Sequence, residues 1–198
     1  MVKKLILGDM QTNCYILYKD NNCIIIDPGS EYNRILPLLN NYNLSAIILT
    51  HGHFDHIGAV DQLYNKYQCP IYLHKDDHSM VRDNPYNKIL NIDVSIKSPL
   101  IEIKEGTLTI DNFKFDIYFT PGHSPGGIIL IYQDYMISGD TLFNNSIGRT
   151  DLEGSDHRQM VNSLKFIKTF DPKLKVLPGH GLDTTLEDEL RNNPFLRK

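Results

Sequence analysis

Thr50-His51-Gly52-His53-Phe54-Asp55-His56 places three imidazoles and a carboxylate in one short run. Gathering these groups without a cation is costly. Protonated rings repel one another, and buried polar groups without partners lose their solvation. Three further glycine-containing loops carry the same donor types. They are Thr120-Pro121-Gly122-His123-Ser124-Pro125-Gly126-Gly127, Ser138-Gly139-Asp140-Thr141-Leu142-Phe143 and Pro178-Gly179-His180-Gly181. Five histidines and two aspartates are too many for one tetrahedral ion. They fit two ions that share a bridging carboxylate and a bridging hydroxide. Nitrogen and carboxylate donors without thiolate suit zinc, iron or manganese. The chemistry expected is therefore two-metal hydrolysis. His74, His78 and His157 stand in polar strand-end or helical contexts without a partner motif and are read as ordinary core or surface residues.

Such side chains need rigid elements to aim them. Apolar runs and turn residues predict strands over 2–27, with Cys23-Ile24-Ile25-Ile26 stopping at the breaker Asp27-Pro28-Gly29. Ile35, Leu38, Leu39 and Tyr42 have helical spacing over 31–43, with Ser30 as the expected N-cap. A strand over Ser45–Leu49 leads into the histidine run, a helix follows from His56 to Gln68, and Pro70–His74 is another strand. The β-α-β-α-β alternation argues for α/β layers. Lys75–Val81 reads as one or two helical turns on a surface excursion, with a turn at Asn84-Pro85-Tyr86-Asn87. Leu100–Ile103, Thr107–Ile110 and Phe113–Phe119 are expected as antiparallel strands, and Ile128–Tyr132 and Tyr135–Ser138 as a hairpin. A loop from Gly139 to Ser155, a helix starting near Asp156, a strand at Lys173–Leu177 and a short helix over 184–191 complete the chain. Glycine lets each donor loop turn sharply enough to bring side chains to one point.

The 198 residues suit one globular domain over 1–198, and 41 % hydrophobic residues suffice for a core. A formal charge of -4, with lysines and arginines scattered, argues against a nucleic-acid or membrane-surface partner. No stretch approaches the roughly 20 apolar residues of a membrane span, and the apolar run after Lys3-Lys4 is too short for a signal peptide, so a cytoplasmic protein is expected. Cys14, Cys23 and Cys69 form no Cys-x-x-Cys pair and are expected as reduced thiols in core packing, not as nucleophiles.

The four motifs, in this order, resemble those of the metallo-β-lactamase fold hydrolases along nearly the whole chain. The resemblance implies a four-layer αββα sandwich of two mixed sheets with the metals at one edge. It further implies that His51, His53 and His123 hold one ion, that Asp55, His56 and His180 hold the other, and that Asp140 bridges. Gly139-Asp140-Thr141-Leu142-Phe143, Ser146-Ile147-Gly148-Arg149-Thr150-Asp151 and Asn193-Pro194-Phe195-Leu196-Arg197 are similar to the short, single-domain bacterial members of the glyoxalase II-like group. This implies a thioesterase of the hydroxyacylglutathione hydrolase type, acting on a small acyl-thiol such as S-lactoylglutathione. The metals would lower the pKa of a bridging water toward ~7, and the hydroxide would attack the thioester carbonyl. Thiolate leaves readily, so no strong general acid is needed. Asp55 is the candidate catalytic residue, orienting the hydroxide besides its role as ligand.

The chain departs from full-length glyoxalase II in ending before a C-terminal helical domain and in carrying Arg149, Asp151 and Gly181-Leu182 where that enzyme has lysine and tyrosines. The loop from Phe143 to Asp151 is expected to decide the substrate, with Phe143 and Arg149 as candidate contacts. Arg149 either anchors an anionic thiol or forms a loop salt bridge to Asp151 or Glu153. Asp27 either supports a metal ligand or caps the following helix. A second enzyme class, persulfide dioxygenases, resembles the chain through Gly148–Asp151, which would imply one Fe(II) on His51, His123 and Asp140. A lactonase or β-lactamase role and a non-catalytic scaffold rank lower. A monomer or small homo-oligomer is expected.

Overall fold

The computed structural model describes residues 1–82, 87 and 92–197. The chain divides into two compact units, Met1–Ile103 with Thr109–Phe113, and Lys104–Leu108 with Lys114–Lys198. The expected turn at Asn84-Pro85-Tyr86 lies outside the described residues.

The first unit holds β1 (Val2–Leu7), β2 (Thr12–Lys19), β3 (Asn22–Ile26), α1 (Tyr32–Leu39), β4 (Asn43–Ile48), α2 (Val60–Tyr67), β5 (Ile71–Leu73), α3 (His78–Arg82) and β6 (Ile101–Glu102). Its sheet runs β1-β2-β3-β4-β5-β6. β1, β2 and β3 pair antiparallel, and β3, β4, β5 and β6 pair parallel. The parallel part follows from the expected β-α-β-α-β order. Cys23–Ile26 and Leu44–Ile48 are buried, which accounts for their uninterrupted apolar sequence. Ile16, Ile25, Leu39, Ile47, Leu63 and Leu73 belong to this unit's core.

Three expectations are corrected here. Ile101–Glu102 is not antiparallel to the strands that follow it. It pairs parallel to β5, and Ile103 N donates to Leu73 O. The polar Lys104-Glu105 and Gly106 at φ +114 then turn the chain away. Helix α1 is shorter than 31–43, because Asn40 and Asn41 propagate a helix poorly and Pro37 within it cannot donate a backbone hydrogen bond. Its N-cap is Glu31, not Ser30, in the left-handed region at φ 52 and with no side-chain cap. Glu31 instead accepts the Gly8 N–H at 2.7 Å and a hydrogen bond from Arg34 at 2.7 Å.

The second unit's sheet runs β14-β13-β10-β9-β8-β7. Its strands are β7 (Gly106–Ile110), β8 (Phe113–Phe119), β9 (Ile128–Tyr132), β10 (Tyr135–Gly139), β13 (Lys175–Pro178) and β14 (Thr184–Thr185). β8, β9 and β10 form antiparallel pairs, and β10 pairs parallel to β13. The expected 139–155 loop contains a two-stranded hairpin, β11 (Leu142–Phe143) with β12 (Ser146–Ile147). Helix α4 (His157–Ile167) starts where expected, because the Asp156 carboxylate accepts the N–H groups of Arg158 and Gln159. Its buried Met160, Ser163, Leu164 and Ile167 lie at helical spacing. Helix α5 (Leu186–Asn192) is capped by Thr185. Ile129, Met136, Met160, Leu164, Val176 and Leu186 belong to this unit's core. Among the described residues no helix is long and apolar enough to cross a membrane.

Candidate metal centre

In the first unit three successive parallel strands end in polar residues. Asp27 follows β3, residues 50–56 follow β4, and Asp77 lies beyond β5. Polar loops at the carboxyl ends of parallel strands are where α/β folds build sites. The imidazoles of His51 and His53 lie 4.8 Å apart, those of His51 and His56 4.1 Å apart. His56 Nε2 faces Asp55 Oδ2 at 3.4 Å.

His51, Asp55 and His56 are each held by a neighbouring side chain. Asp27 Oδ2 lies 3.0 Å from His56 Nδ1. The same carboxylate accepts the Thr50 N–H at 2.8 Å and the Thr50 hydroxyl at 2.6 Å. Thr50 Oγ1 lies 3.0 Å from His51 Nδ1, and the Thr12 hydroxyl donates to Asp55 Oδ2 at 2.8 Å. The Gly52 N–H donates to Asp77 Oδ2 at 2.9 Å. Of the two roles open for Asp27 in the sequence, the structure shows its carboxylate on His56 and Thr50, and α1 starts from Glu31 without a side-chain cap.

In the second unit β8, β10 and β13 run in one direction, so His123, Asp140 and His180 leave the same end of the sheet. One oxygen, Asp140 Oδ2, lies 3.3 Å from His123 Nε2 and 3.4 Å from His180 Nε2. His123 Nδ1 lies 2.9 Å from the Arg149 carbonyl oxygen. A carbonyl only accepts, so Nδ1 carries the proton in neutral His123 and Nε2 keeps its lone pair. Asp27 imposes the same tautomer on His56. Gly148 packs closely here: a Cβ on it would lie 1.8 Å from the Asp140 carbonyl oxygen.

These donors fit a metal. Two ligands about 2.0–2.1 Å from one tetrahedral ion lie about 3.3–3.4 Å apart, which is the spacing of the three Nε2–Oδ2 pairs. Imidazoles whose second nitrogen is held by a carboxylate or backbone carbonyl are the usual metal-ligand arrangement.

Phe143 lies edge-on to the His180 ring, with centroids 6.0 Å apart. The Arg149 guanidinium forms a two-pronged pair with Asp151, at 2.7 Å and 2.9 Å. These hydrogen bonds hold the Asp151 carboxyl below its ordinary range. The salt bridge weighed for Arg149 in the sequence is thus present, to Asp151. The three cysteines are free thiols and buried. Burial pushes the Cys23 thiol up to about 12 and the Cys69 thiol up to about 11.

Sequence reasoning missed Thr12, Asp77 and Glu189 as supports, and took Gly148 and Asn193 only as members of motifs, without a role. Glu189 is buried and accepts the Asn145 N–H at 2.8 Å, the Thr184 hydroxyl at 2.8 Å and the Asn193 amide at 2.8 Å. The Asn193 amide also reaches the carbonyl oxygens of Ser146 at 3.0 Å and Phe143 at 3.4 Å. Together they hold the hairpin that carries Phe143. The available signals were the motif that begins at Asn193 and the spacing of four residues between Glu189 and Asn193.

Residues 7–180 match the family model of the metallo-β-lactamase superfamily. The chain is 39 % identical to the protein described as a probable metallo-hydrolase, YqgX, of Bacillus subtilis strain 168, over 98 % of this chain and 96 % of that one. It is 33 % identical to the hydroxyacylglutathione hydrolase GloC of Haemophilus influenzae, over 94 % and 93 %. Among solved structures, the BLEG-1 B3 metallo-β-lactamase superposes with a TM-score of 0.93 at 38 % identity, covering 100 % of both chains. TTHA1623 in a di-iron-bound form superposes with a TM-score of 0.90 at 35 % identity, over 98 % of this chain and 100 % of that one. The α/β fold with two mixed sheets is thus the metallo-β-lactamase fold, and the chain belongs to the metallo-β-lactamase superfamily.

Proposed function

We propose that this protein is a binuclear metallo-hydrolase that cleaves small acyl-thiols, a thioesterase of the hydroxyacylglutathione hydrolase type. In this reading His51, His53 and His123 would hold one divalent ion, Asp55, His56 and His180 would hold the other, and Asp140 would serve both. The observation that carries the reading is the single oxygen Asp140 Oδ2, nearly equidistant from His123 Nε2 and His180 Nε2. An oxygen so placed suits a carboxylate shared between two ions. The di-iron form of TTHA1623 supports two metals, and the hydroxyacylglutathione hydrolase GloC supports thioester chemistry. Zinc is the metal proposed, with iron or manganese as alternatives that the same donors accept.

When bound, the ions would supply hydroxide at neutral pH and polarise the carbonyl under attack. The protein's own groups do the remaining work. Thr12 and Asp27 fix Asp55 and His56. The Arg149 carbonyl fixes the His123 tautomer. The Asp55 carboxylate orients the attacking water, and the thiolate departs without a general acid. The Phe143 ring offers an apolar edge to the acyl group beside His180. Arg149 anchors an anionic thiol by exchanging Asp151 for the substrate's carboxylate. Both side chains of that pair are exposed, so solvent screens it and the exchange costs little.

Metal content of the purified protein, with a parallel screen of S-lactoylglutathione and glutathione persulfide, tests the assignment. Two metals per chain and thiol release support it. One iron per chain with oxygen uptake on the persulfide would replace it with a persulfide dioxygenase using His51, His123 and Asp140.

A further inference from the structure

We propose that Asp77 is a positioning residue for the His51/His53 half of the metal centre, through the His51–Gly52 peptide. The inference rests on the binuclear reading above. Asp77 is fully buried, and a buried carboxylate is expensive unless hydrogen-bonded. Its Oδ2 accepts the Gly52 N–H at 2.9 Å. That N–H lies on the peptide between His51 and Gly52. Pinning it fixes the directions in which the neighbouring side chains leave the backbone.

The contact between Gly52 and this segment is tight. A Cβ on Gly52 would meet Asp77 Cβ, Asp77 O and Met80 Cβ, each at 3.1 Å. Asp77 itself stands on a well-tied platform. Asp77 N donates to His74 O at 3.1 Å, and His74 Nδ1 accepts the Asp76 N–H at 3.4 Å. Along α3, Arg82 donates to Ile96 O at 2.8 Å, and Ile96 N donates to Val81 O at 2.7 Å. Asp77 therefore buttresses the loop of residues 50–56 from a segment whose Lys75, Asp76, Ser79 and Arg82 are exposed.

Asp55 and His56 have separate supports in Thr12 and Asp27. Losing the Asp77 carboxylate should therefore weaken the His51/His53/His123 ion and spare the Asp55/His56/His180 ion. A partner outside the ligand shell typically contributes about 10–100-fold in metal affinity.

Zn²⁺ titration against a chromogenic chelator, on the full chain and its variants, tests this. Wild type is expected to take two equivalents. Asp77→Ala should bind one of them about 10–100-fold more weakly with the other unchanged. Asp77→Asn, whose amide oxygen still accepts the Gly52 N–H, should recover most of the loss. Gly52→Ala, whose Cβ would press on Asp77 and Met80 at 3.1 Å, should repeat the selective weakening even if Asp77→Ala does not fold. A wild type that takes two equivalents beside variants that bind both as tightly, or lose both equally, overturns the Asp77 proposal alone. A wild type that takes no zinc overturns the binuclear zinc reading beneath it.

Discussion

Nδ1 of His56 lies 3.0 Å from Oδ2 of Asp27, and both side chains are buried. The contact joins the ends of two adjacent parallel strands, with Asp27 N also donating to Ile48 O at 3.1 Å. One carboxylate thereby fixes the histidine tautomer and, through Thr50, the start of the ligand loop.

Asp27→Ala should destabilise the fold. It removes the acceptor for the Thr50 N–H and hydroxyl and for His56, and each unmet buried group costs about 1–3 kcal/mol. Urea unfolding of the metal-free protein should show a loss of at least about 2 kcal/mol. An unchanged midpoint would contradict the role given to this carboxylate.

Gly148→Ala should damage the second ligand set directly. The added Cβ would lie 1.8 Å from the Asp140 carbonyl oxygen and 3.1 Å from His123 Cβ, and backbone has little room to retreat. Overpacking of this kind costs about 1–3 kcal/mol. Thermal melts should shift down and bound metal should fall together. Wild-type metal content in this variant would count against the close packing.

Asn193→Ala should act on the substrate and not on the metals. It releases the Phe143–Ser146 hairpin and takes one partner from the buried Glu189. The expected result is a several-fold higher KM for acyl-thiols with metal content retained, and about 1–3 kcal/mol of stability lost. Arg149→Ala should likewise raise KM for anionic thiols. If KM is unchanged for every acyl-thiol tried, Arg149 is only the partner of Asp151.

The thiols predict an alkaline limit. Burial raises Cys23 and Cys69 above their ordinary value of 9.0, to about 12 and about 11. The unfolded chain gives up these protons first as pH rises. Their contribution is therefore present in full below about pH 9 and is lost as pH climbs toward the folded values. The urea midpoint should fall between pH 9 and 11. A thiol reagent at neutral pH should leave the native protein unlabelled. Rapid labelling of the native protein would refute the burial of these thiols.

The donor residues were legible in the sequence because their chemistry is unusual where it stands. His51, His53, Asp55 and His56 have no low-cost use as a cluster except around a cation. The alternation of apolar runs from Cys23 to Leu73 likewise announced the parallel strands. The supports were harder to read. Asp77 and Asn193 act on backbone groups of residues 25 and 47–50 positions away, and a backbone N–H or carbonyl leaves no mark in the sequence. Asp27 admitted two roles because a carboxylate before a helix is also a common cap. Its true partners, Thr50 and His56, are neighbours only through strand pairing. The N-cap expected at Ser30 failed for a related reason. Glu31, in the left-handed region, accepts hydrogen bonds from Gly8 across the fold and from Arg34 one helical turn on. The strand at Ile101–Glu102 was placed with the wrong neighbours because two residues carry no register of their own.

The most direct test is the rate of thiol release from S-lactoylglutathione as zinc is added stepwise to metal-free protein. The rate should be negligible without metal and should rise until two equivalents are bound. No thiol release at any loading, or full activity at one equivalent, would contradict a binuclear thioesterase.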